Sequence, residues 1–345
     1  MRRTGLRNLW EIAQWPKYRL WPGALILMYH RVTELSNDPH LLAVTPKHFA
    51  EQMDVLRRHF VPIRLRKLVE ALRNGKSQKR AVIVTFDDGY ADNLHEAGPL
   101  LERYDIPATV FVTTGQVGNR RESWWDELDR ILLQPGILPP EIRLNIKGST
   151  FEFQLNGAST YTKQDYERDR GWHIAREDDR GPRQYLFRKL LGVMSTMPGE
   201  ERDRIVEDLM TWAGADPNAR PTHRSLTIDE LIRLGKCALT EVGAHSVTHP
   251  KLAELSVVDQ RREIKQSKQT LEAILNHPVA SFAFPFGSGS PETVAIVRDE
   301  GFACACSTRE DVVSRGTDYF QLPRLCVRDW DGERFARWLG WWVDL

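Results

Sequence analysis

The sequence AVIVTFDDGY, residues 81–90, indicates how this chain is organised. Its first four residues are apolar and mostly β-branched, which predicts a strand buried on both faces, as in a parallel sheet. Asp87 and Asp88 stand where that strand ends. Adjacent carboxylates raise each other's pKa, so the pair is costly to bury unless a cation neutralises one or both. The stretch therefore predicts a metal site at the C-terminal mouth of an α/β sheet or barrel, where such folds place their chemistry.

The same alternation of apolar runs and helical patterns continues on both sides. Apolar runs that predict strands begin near residues 24, 81, 107, 239, 281, 302 and 322. Amphipathic stretches between them predict helices, one of them over residues 46–59 with Thr45 as its N-cap and Pro46 in its first turn. A doubly wound α/β sheet has a similar periodicity. Chemistry at many strand ends favours a (β/α) barrel, complete or incomplete.

Residues 135–225 interrupt this alternation. They contain an apparent hairpin over residues 142–155, a charged polar stretch, and helical patterns near residues 183–195 and 199–214. We interpret them as an insertion within a single domain that spans residues 1–345.

Composition limits the classes of function. The 345 residues are 41% hydrophobic and 28% charged with a net charge of +1, as in an ordinary soluble protein without a global signal for nucleic acid. The four cysteines show no CxxC and no paired spacing, which argues against a cysteine metal site or a disulfide framework. Charges and prolines interrupt the N-terminal stretch before a signal-peptide core or a membrane span can form, so a cytoplasmic location is the default expectation.

A second constellation, HSVTH at residues 245–249, follows the strand predicted at residues 239–244. His245 and His249 have the spacing at which two imidazoles on one side of a helical turn bind one metal ion. With one carboxylate of the first stretch they predict a two-histidine, one-carboxylate site with open positions. Such a site suits catalytic zinc and also ferrous iron or cobalt.

These stretches resemble a known family. TFDDGY, HSVTH and FPFG at residues 284–287 are similar to the first three motifs of the polysaccharide deacetylases of carbohydrate esterase family 4, also called NodB-homology proteins. The resemblance covers most of residues 24–330 apart from the insertion. It implies a distorted seven-stranded (β/α) barrel and metal-dependent hydrolysis of an N-acetyl group on an amino sugar.

The resemblance also implies roles for individual residues. Asp88, His245 and His249 would bind the metal, Zn²⁺ in the first place with Co²⁺, Fe²⁺ or Ni²⁺ as alternatives, and Asp87 would be the general base. The metal would acidify a water and polarise the amide carbonyl, Asp87 would take the water's proton, and an acid must protonate the leaving amine. A backbone N–H at Phe286 would help to stabilise the oxyanion.

Two family roles have no residue at the usual place. The arginine that opens the third motif is missing from SFAF at residues 281–284, and no histidine follows His277 to act as the late acid. His30, which ends the first predicted strand, resembles the histidine of the circularly permuted exopolysaccharide deacetylases and is the candidate acid, with a purely hydrogen-bonding role as the alternative. Arg324 is the candidate that orients Asp87, and pairing with a structural carboxylate is its alternative.

Tryptophans are concentrated at both ends of the chain. Six of the eleven lie there: Trp10, Trp15, Trp21, Trp338, Trp341 and Trp342. The N-terminal ones alternate with arginines and a lysine, a mixture typical of a membrane interface. This predicts peripheral contact with the inner membrane face, and the alternative is that both tails pack on the barrel.

The sequence thus predicts a metal-dependent N-deacetylase that acts on an amino sugar of a glycan, glycolipid or polysaccharide precursor. Its partners would be an N-acetylated sugar or a lipid-linked glycan, and no nucleic acid. A deformylase or O-acetyl esterase with the same metal site is an alternative within enzymes, and an inactive carbohydrate-binding barrel is an alternative from another class. The intact metal triad with Asp87 beside it argues against the last, since binding alone needs no base.

Overall fold

Seven parallel strands form the central sheet of the computed structural model, which describes residues 23–76, 80–216 and 218–343. The strands in chain order are β1 (Leu25–Tyr29), β2 (Arg31–Val32), β3 (Ala43–Val44), β4 (Val61–Pro62), β5 (Ala81–Phe86), β6 (Ala108–Val112), β7 (Gly136–Ile137), β8 (Glu141–Ile146), β9 (Ser149–Gln154), β10 (Thr160–Tyr161), β11 (Thr240–Ala244), β12 (Ser281–Ala283), β13 (Cys304–Cys306) and β14 (Leu325–Cys326). The seven pair in the order β13, β12, β11, β6, β5, β1 and β14, and β4 adds two residues beside β5. They are the seven strands that the sequence predicts.

One extended segment joins the two edges of this sheet. Leu325 and Cys326 of β14 pair with β1, while Leu322, just before them, forms a parallel bridge with Cys306 of β13. The N–H of Ser307 also donates to the Leu322 carbonyl at 2.8 Å. The sheet therefore closes into a barrel whose last strand is split between two neighbours. This confirms the predicted distorted seven-stranded (β/α) barrel.

The helices begin and end close to the predicted residues. They are α1 (Pro46–His59), α2 (Leu65–Arg73), α3 (Gly98–Tyr104), α4 (Trp124–Leu132), α5 (Lys163–Asp169), α6 (Pro182–Met194), α7 (Gly199–Ala213), α8 (Ile228–Lys236), α9 (Val257–Leu275), α10 (Pro291–Asp299) and α11 (Gly332–Leu339). The start of α1 is the predicted one, because Thr45 accepts a hydrogen bond from the His48 N–H and Pro46 lies in the first turn. Every residue of β1, β5 and β6 is buried, as expected for parallel strands covered on both faces.

The helical stretch that follows β5 is not one regular α-helix. It consists of a π-helical turn, Asn93–Ala97, followed by α3. Pro99 lacks an N–H, and the chain forms a wider turn in which the Gly98 N–H donates to the Asn93 carbonyl.

Residues 135–225 pack around a core of their own in their described part. The antiparallel hairpin β8–β9 and helices α6 and α7 bury their apolar side chains together with Trp124, Trp125 and Leu128 of α4. The interpretation of these residues as an insertion in a single domain stays a prediction.

The tryptophan-rich ends are only partly described. Residues 1–22 lie outside the described residues, and with them the predicted membrane-contact stretch. Trp338 and Trp342 are half-buried against the barrel core, whereas Trp341 is exposed. Within the described ranges, no helix combines the length and the apolar character that a membrane span requires.

Candidate active site

Polar side chains gather where the barrel strands end. Asp87 and Asp88 follow β5, His245 follows β11, His30 follows β1, and Arg324 directly precedes β14. Because the strands are parallel and adjacent, their C-terminal ends meet at one mouth of the barrel. Arg324 reaches the same mouth from between the two parts of the split last strand, where it bonds to Asp87. The barrel thus brings residues from four separate parts of the chain to one place.

The turn after β5 directs the two carboxylates. Asp88 has a φ of 74° and Gly89 one of 79°, so both lie in the left-handed region. A Cβ at Gly89 would come to 3.0 Å from Cγ1 of Val112, which explains why a glycine fits this turn best. Two successive left-handed residues turn the chain sharply out of the sheet immediately after the carboxylates.

Three buried side chains could hold one metal ion. Ligand atoms of Asp88, His245 and His249 all lie within 4.8 Å of one another. Oδ1 of Asp88 is 3.5 Å from Nε2 of His245 and 3.3 Å from Nε2 of His249. Nδ1 of His245 lies 2.8 Å from the Ala283 carbonyl, which fixes the proton on Nδ1 and leaves the Nε2 lone pair facing Asp88.

The electrostatics of these three side chains fit a divalent cation. Oδ1 of Asp88, the atom that faces Nε2 of both histidines, is buried and has no hydrogen-bond partner among the described residues. Burial raises the pKa of Asp88 well above its usual range, and the Asp87 and Asp126 carboxylates raise it further. Burial also lowers the pKa of His249 well below its usual range, so its imidazole is neutral, as a metal ligand must be. A two-histidine, one-carboxylate set is a donor set that Zn²⁺, Fe²⁺ and Co²⁺ accept.

The two histidines are carried by a loop, and the predicted helical turn at residues 245–249 is wrong. Ser246 and His249 have φ values of 60° and 57°, which no right-handed helix allows. Oγ of Ser246 accepts the His249 N–H at 3.0 Å, and the amides between them bond to a carboxylate of α9 instead of to a helical turn. The imidazoles converge because of this loop shape and not because of helical spacing.

Asp87 is held from two sides by one arginine. Nη1 and Nη2 of Arg324 each lie 2.7 Å from an oxygen of Asp87, and both side chains are buried. The arginine also donates from Nε to the Ser307 carbonyl and from Nη1 to Oγ1 of Thr85. Burial alone would raise the pKa of Asp87, but the Arg324 guanidinium and His245 outweigh it and hold this pKa well below its usual range. Asp87 is therefore ionised and fixed in direction.

His30 lies at the same mouth. Its carbonyl accepts a hydrogen bond from Nδ2 of Asn93 at 2.8 Å, which ties the end of β1 to the turn before α3. Burial lowers the pKa of the His30 imidazole to about 4, although the nearby Asp87 carboxylate opposes this. The side chain is thus neutral at pH 7.

Phe286 lies in a tight turn, Pro285–Gly287, that closely follows β12. Its φ is 55°, and its ring is 42% exposed and has its centroid 4.6 Å from that of His249. The next residue, Gly287, has no room for a side chain, since a Cβ there would lie 2.0 Å from Oγ1 of Thr308. The oxyanion role of the Phe286 N–H stays a prediction, as do the roles of the other site residues.

A hydrogen-bonded chain beside the candidate metal ligands was not anticipated from the sequence. The Trp125 ring packs on His249 with centroids 4.6 Å apart, and its Nε1 donates to the Tyr90 hydroxyl at 2.8 Å. That hydroxyl donates in turn to Oδ2 of Asp126 at 2.7 Å, and burial raises the pKa of Asp126 to about 7. The available signals were Tyr90 at the end of the aspartate motif and the sequence WWD at the start of a helix, which fits an ordinary core equally well.

Comparison with known proteins agrees with this fold and with the family predicted from the motifs. The sequence model described as polysaccharide deacetylase matches residues 74–137 and 223–305 of the chain. The poly-beta-1,6-N-acetyl-D-glucosamine N-deacetylase of Staphylococcus aureus is 32% identical over 109 residues, which are 28% of this chain and 38% of that protein. The chain spans less than half the length of the curated relatives it matches.

Solved structures share the fold over nearly the whole chain. The Streptococcus pyogenes deacetylase PplD in complex with acetate aligns with a TM-score of 0.57 at 18% identity, over 91% of this chain and 97% of its own. IcaB from Ammonifex degensii aligns with a TM-score of 0.56 at 18% identity, over 92% of this chain and 97% of its own. The chain belongs to the polysaccharide deacetylase family, carbohydrate esterase family 4, and is like its exopolysaccharide deacetylases. The family predicted from the motifs is thereby confirmed.

Proposed function

We propose that this protein is a metal-dependent N-deacetylase that hydrolyses an N-acetyl group on an amino sugar of a glycan or glycan precursor. The observation that carries the proposal is the convergence of Asp88, His245 and His249 beside Asp87, whose carboxylate Arg324 holds in place. The Staphylococcus aureus relative, named as an N-deacetylase of poly-beta-1,6-N-acetyl-D-glucosamine, suggests N-acetylglucosamine polymers as the first substrates to try.

Each residue at the mouth has a task in such a hydrolysis. A divalent cation held by Asp88, His245 and His249 would lower the pKa of a water and polarise the amide carbonyl. Asp87, kept ionised by Arg324, is in the form that accepts the water's proton at any working pH. The N–H of Phe286 donates to the oxyanion.

The leaving amine needs a proton, and His30 is the residue we propose for this step. Because its pKa of about 4 leaves the imidazole neutral at pH 7, His30 donates only after it has gained a proton during turnover, and the proton that Asp87 takes from the water supplies it. Asp87 is the charged neighbour that favours this protonated state.

Acetate release from a panel of substrates tests the proposal. The panel contains N-acetylglucosamine oligomers, sugar nucleotides and lipid-linked sugars, each with N-formyl and O-acetyl analogues. We expect acetate from an N-acetylated glycan, a requirement for added Zn²⁺ or Co²⁺, and release by the Asp87→Asn variant that is slower by about a hundredfold or more. Formate release without acetate release would reassign the acyl group. No product from any substrate by metal-loaded protein would favour the carbohydrate-binding barrel.

We further propose that the protein works in the cytoplasm, in contact with the inner membrane face and on a lipid-linked glycan. The support is the sequence of residues 1–21, where tryptophans alternate with basic residues. Each basic residue near an anionic surface contributes about 1 kcal/mol, so binding should be reversible and weaken with salt. Co-sedimentation with anionic vesicles, compared between the full chain and a variant that begins at Pro22, tests this. Equal sedimentation of the two proteins would contradict it.

A further inference from the structure

The loop of residues 245–249, here called the ligand loop, is held by hydrogen bonds from three parts of the structure. From the barrel, the N–H groups of Thr114 and Gly115 donate to carbonyls of the loop at 3.1 and 2.8 Å. From α9, Glu263 accepts the N–H groups of Val247 and Thr248, both at 2.8 Å. The third contact comes from α7, in the 135–225 segment.

Arg202 of α7 makes this third contact. Its Nη2 donates to the Thr248 carbonyl, and the residue is 1% exposed. Its guanidinium lies 5.0 Å from the centroid of the Trp124 ring, which packs against it. The start of α7 also touches the loop, since a Cβ at Gly199 would lie 2.5 Å from Cγ2 of Thr248.

The bond to Thr248 acts on the backbone of a metal ligand. The Thr248 carbonyl and the His249 N–H belong to one peptide group, which is planar and rotates as a unit. Arg202 holds the oxygen end of this group, and Oγ of Ser246 holds the nitrogen end at 3.0 Å. The orientation of that plane sets φ of His249. Its value of 57° is one that residues other than glycine rarely adopt.

A purely structural role, holding α7 in place, does not account for a buried arginine at position 202. Its Nε and Nη1 have no hydrogen-bond partner among the described residues, and its one side-chain hydrogen bond leaves the 135–225 segment. Arg183 of α6 is equally buried, yet it bonds to five backbone carbonyls between Leu132 and Ser159. A buried donor left without a partner is costly, so Arg202 is poorly explained as a structural arginine.

We infer that Arg202 is a positioning residue through which the 135–225 segment sets the geometry of the metal ligand His249. The inference rests on the proposed function, because it takes Asp88, His245 and His249 to be the ligands. Partners that orient ligating residues change metal affinity by about 10- to 100-fold when they are removed. The segment would then tune the metal site without contributing a ligand.

Cobalt binding tests the inference without a substrate. For wild type, Arg202→Met, Arg202→Lys and Gly199→Ala, the Co²⁺ dissociation constant is measured by competition with a chelator, together with the visible Co²⁺ absorption spectrum. We expect Arg202→Met and Gly199→Ala to bind Co²⁺ about 10-fold or more weakly with a changed spectrum, and Arg202→Lys to recover part of the loss. Arg183→Met is the control, with a lower Tm and the wild-type constant and spectrum.

Wild-type affinity and spectrum in folded Arg202→Met would overturn the inference. If Arg202→Met does not fold, the same criterion applies to Gly199→Ala, which disturbs the contact between α7 and Thr248. If the wild type binds no Co²⁺, the proposed function fails, and amide hydrogen exchange of Val247, Thr248 and His249 decides the inference separately. Faster exchange there in Arg202→Met than in Arg183→Met supports it, and equal exchange overturns it.

Discussion

Two regions of this molecule bury charged side chains and treat them differently. In the 135–225 segment, Arg183 uses all three guanidinium nitrogens, and both oxygens of Asp169 accept hydrogen bonds. At the barrel mouth, Asp88 and His249 are buried too, yet each keeps an atom without a partner among the described residues. A buried polar group left in that state costs about 1–3 kcal/mol. The contrast teaches that burial alone does not mark a functional charge, whereas an unmade hydrogen bond at a cluster of ligand atoms does.

Each region also contains one exception: a fully paired charge at the mouth, and a charge with unpartnered atoms in the segment. Asp87 at the mouth is fully paired with Arg324, and Arg202 in the segment keeps two nitrogens unpartnered. Both exceptions serve the same place, since Asp87 lies beside the candidate ligands and Arg202 bonds to the ligand loop. A site of this kind needs groups held in place by hydrogen bonds as well as ligand atoms that have no partner in the protein.

The contrast fails outright if the mouth holds no metal. We expect His249→Ala to lose its divalent ion, because one of three ligands is gone. His223→Asn should keep the ion, since His223 is also 7% exposed and lies outside the cluster. Elemental analysis of the purified variants measures this. Equal metal content in the two would contradict the assignment.

Asp87→Asn tests the carboxylate that is paired with Arg324 separately from the candidate metal ligands. Turnover should fall by about a hundredfold or more, because a general base is lost, while the metal content stays at the wild-type level. Asp169→Asn in the segment should lower stability and leave the turnover of the folded protein unchanged. Steady-state rates with metal analysis on the same samples test this, and wild-type turnover in Asp87→Asn would exclude the base role.

Arg324→Met tests whether the pairing at the mouth works as a unit. Removing one partner of a buried ion pair costs about 3–5 kcal/mol, because the remaining charge has no compensation. The double variant Asp87→Asn/Arg324→Met should therefore be more stable than Arg324→Met alone. Urea unfolding of the metal-free proteins measures the difference. Simple addition of the two single losses would show that the residues are not coupled.

A smaller effect concerns pH. Burial, with Arg220 and Arg31 nearby, lowers the pKa of His223 to about 2. The unfolded chain takes up this proton near pH 6.5 and the folded chain does not, so stability should fall as the pH drops below about 6.5. The loss is at most about 1.4 kcal/mol per pH unit for one histidine. In metal-free protein between pH 6.5 and 4, His223→Asn should show a shallower decline than wild type, and parallel curves would disprove the shift.

Much of the barrel could be predicted because its signals are local. A buried parallel strand is an unbroken apolar run, as in β1 and β5, and a cap such as Thr45 acts within one turn of its helix. The clustering of the candidate ligands was predictable for a related reason, since strand ends of a barrel meet at one mouth. Asp88, His245 and His249 each stand within five residues of a predicted strand end.

What remained hidden depends on contacts between distant parts of the chain. Nothing near Arg202 in the sequence indicates that its partner is the Thr248 carbonyl, and nothing near Trp125 indicates that its ring packs on His249. The shape of the ligand loop was missed for the same reason, because Glu263 determines where its amides point. Sequence spacing places the two histidines near each other without giving the path between them.

The contact between Trp125 and His249 gives the molecule an optical reporter at its candidate metal site. Paramagnetic ions such as Co²⁺ quench indole emission at close range, and this indole packs directly on a candidate ligand. Its emission should therefore drop as the ion binds and recover when a chelator removes it. The Trp125→Phe variant would keep the aromatic packing and lose most of that signal, so the occupancy of one site could be read against the ten other tryptophans of the chain.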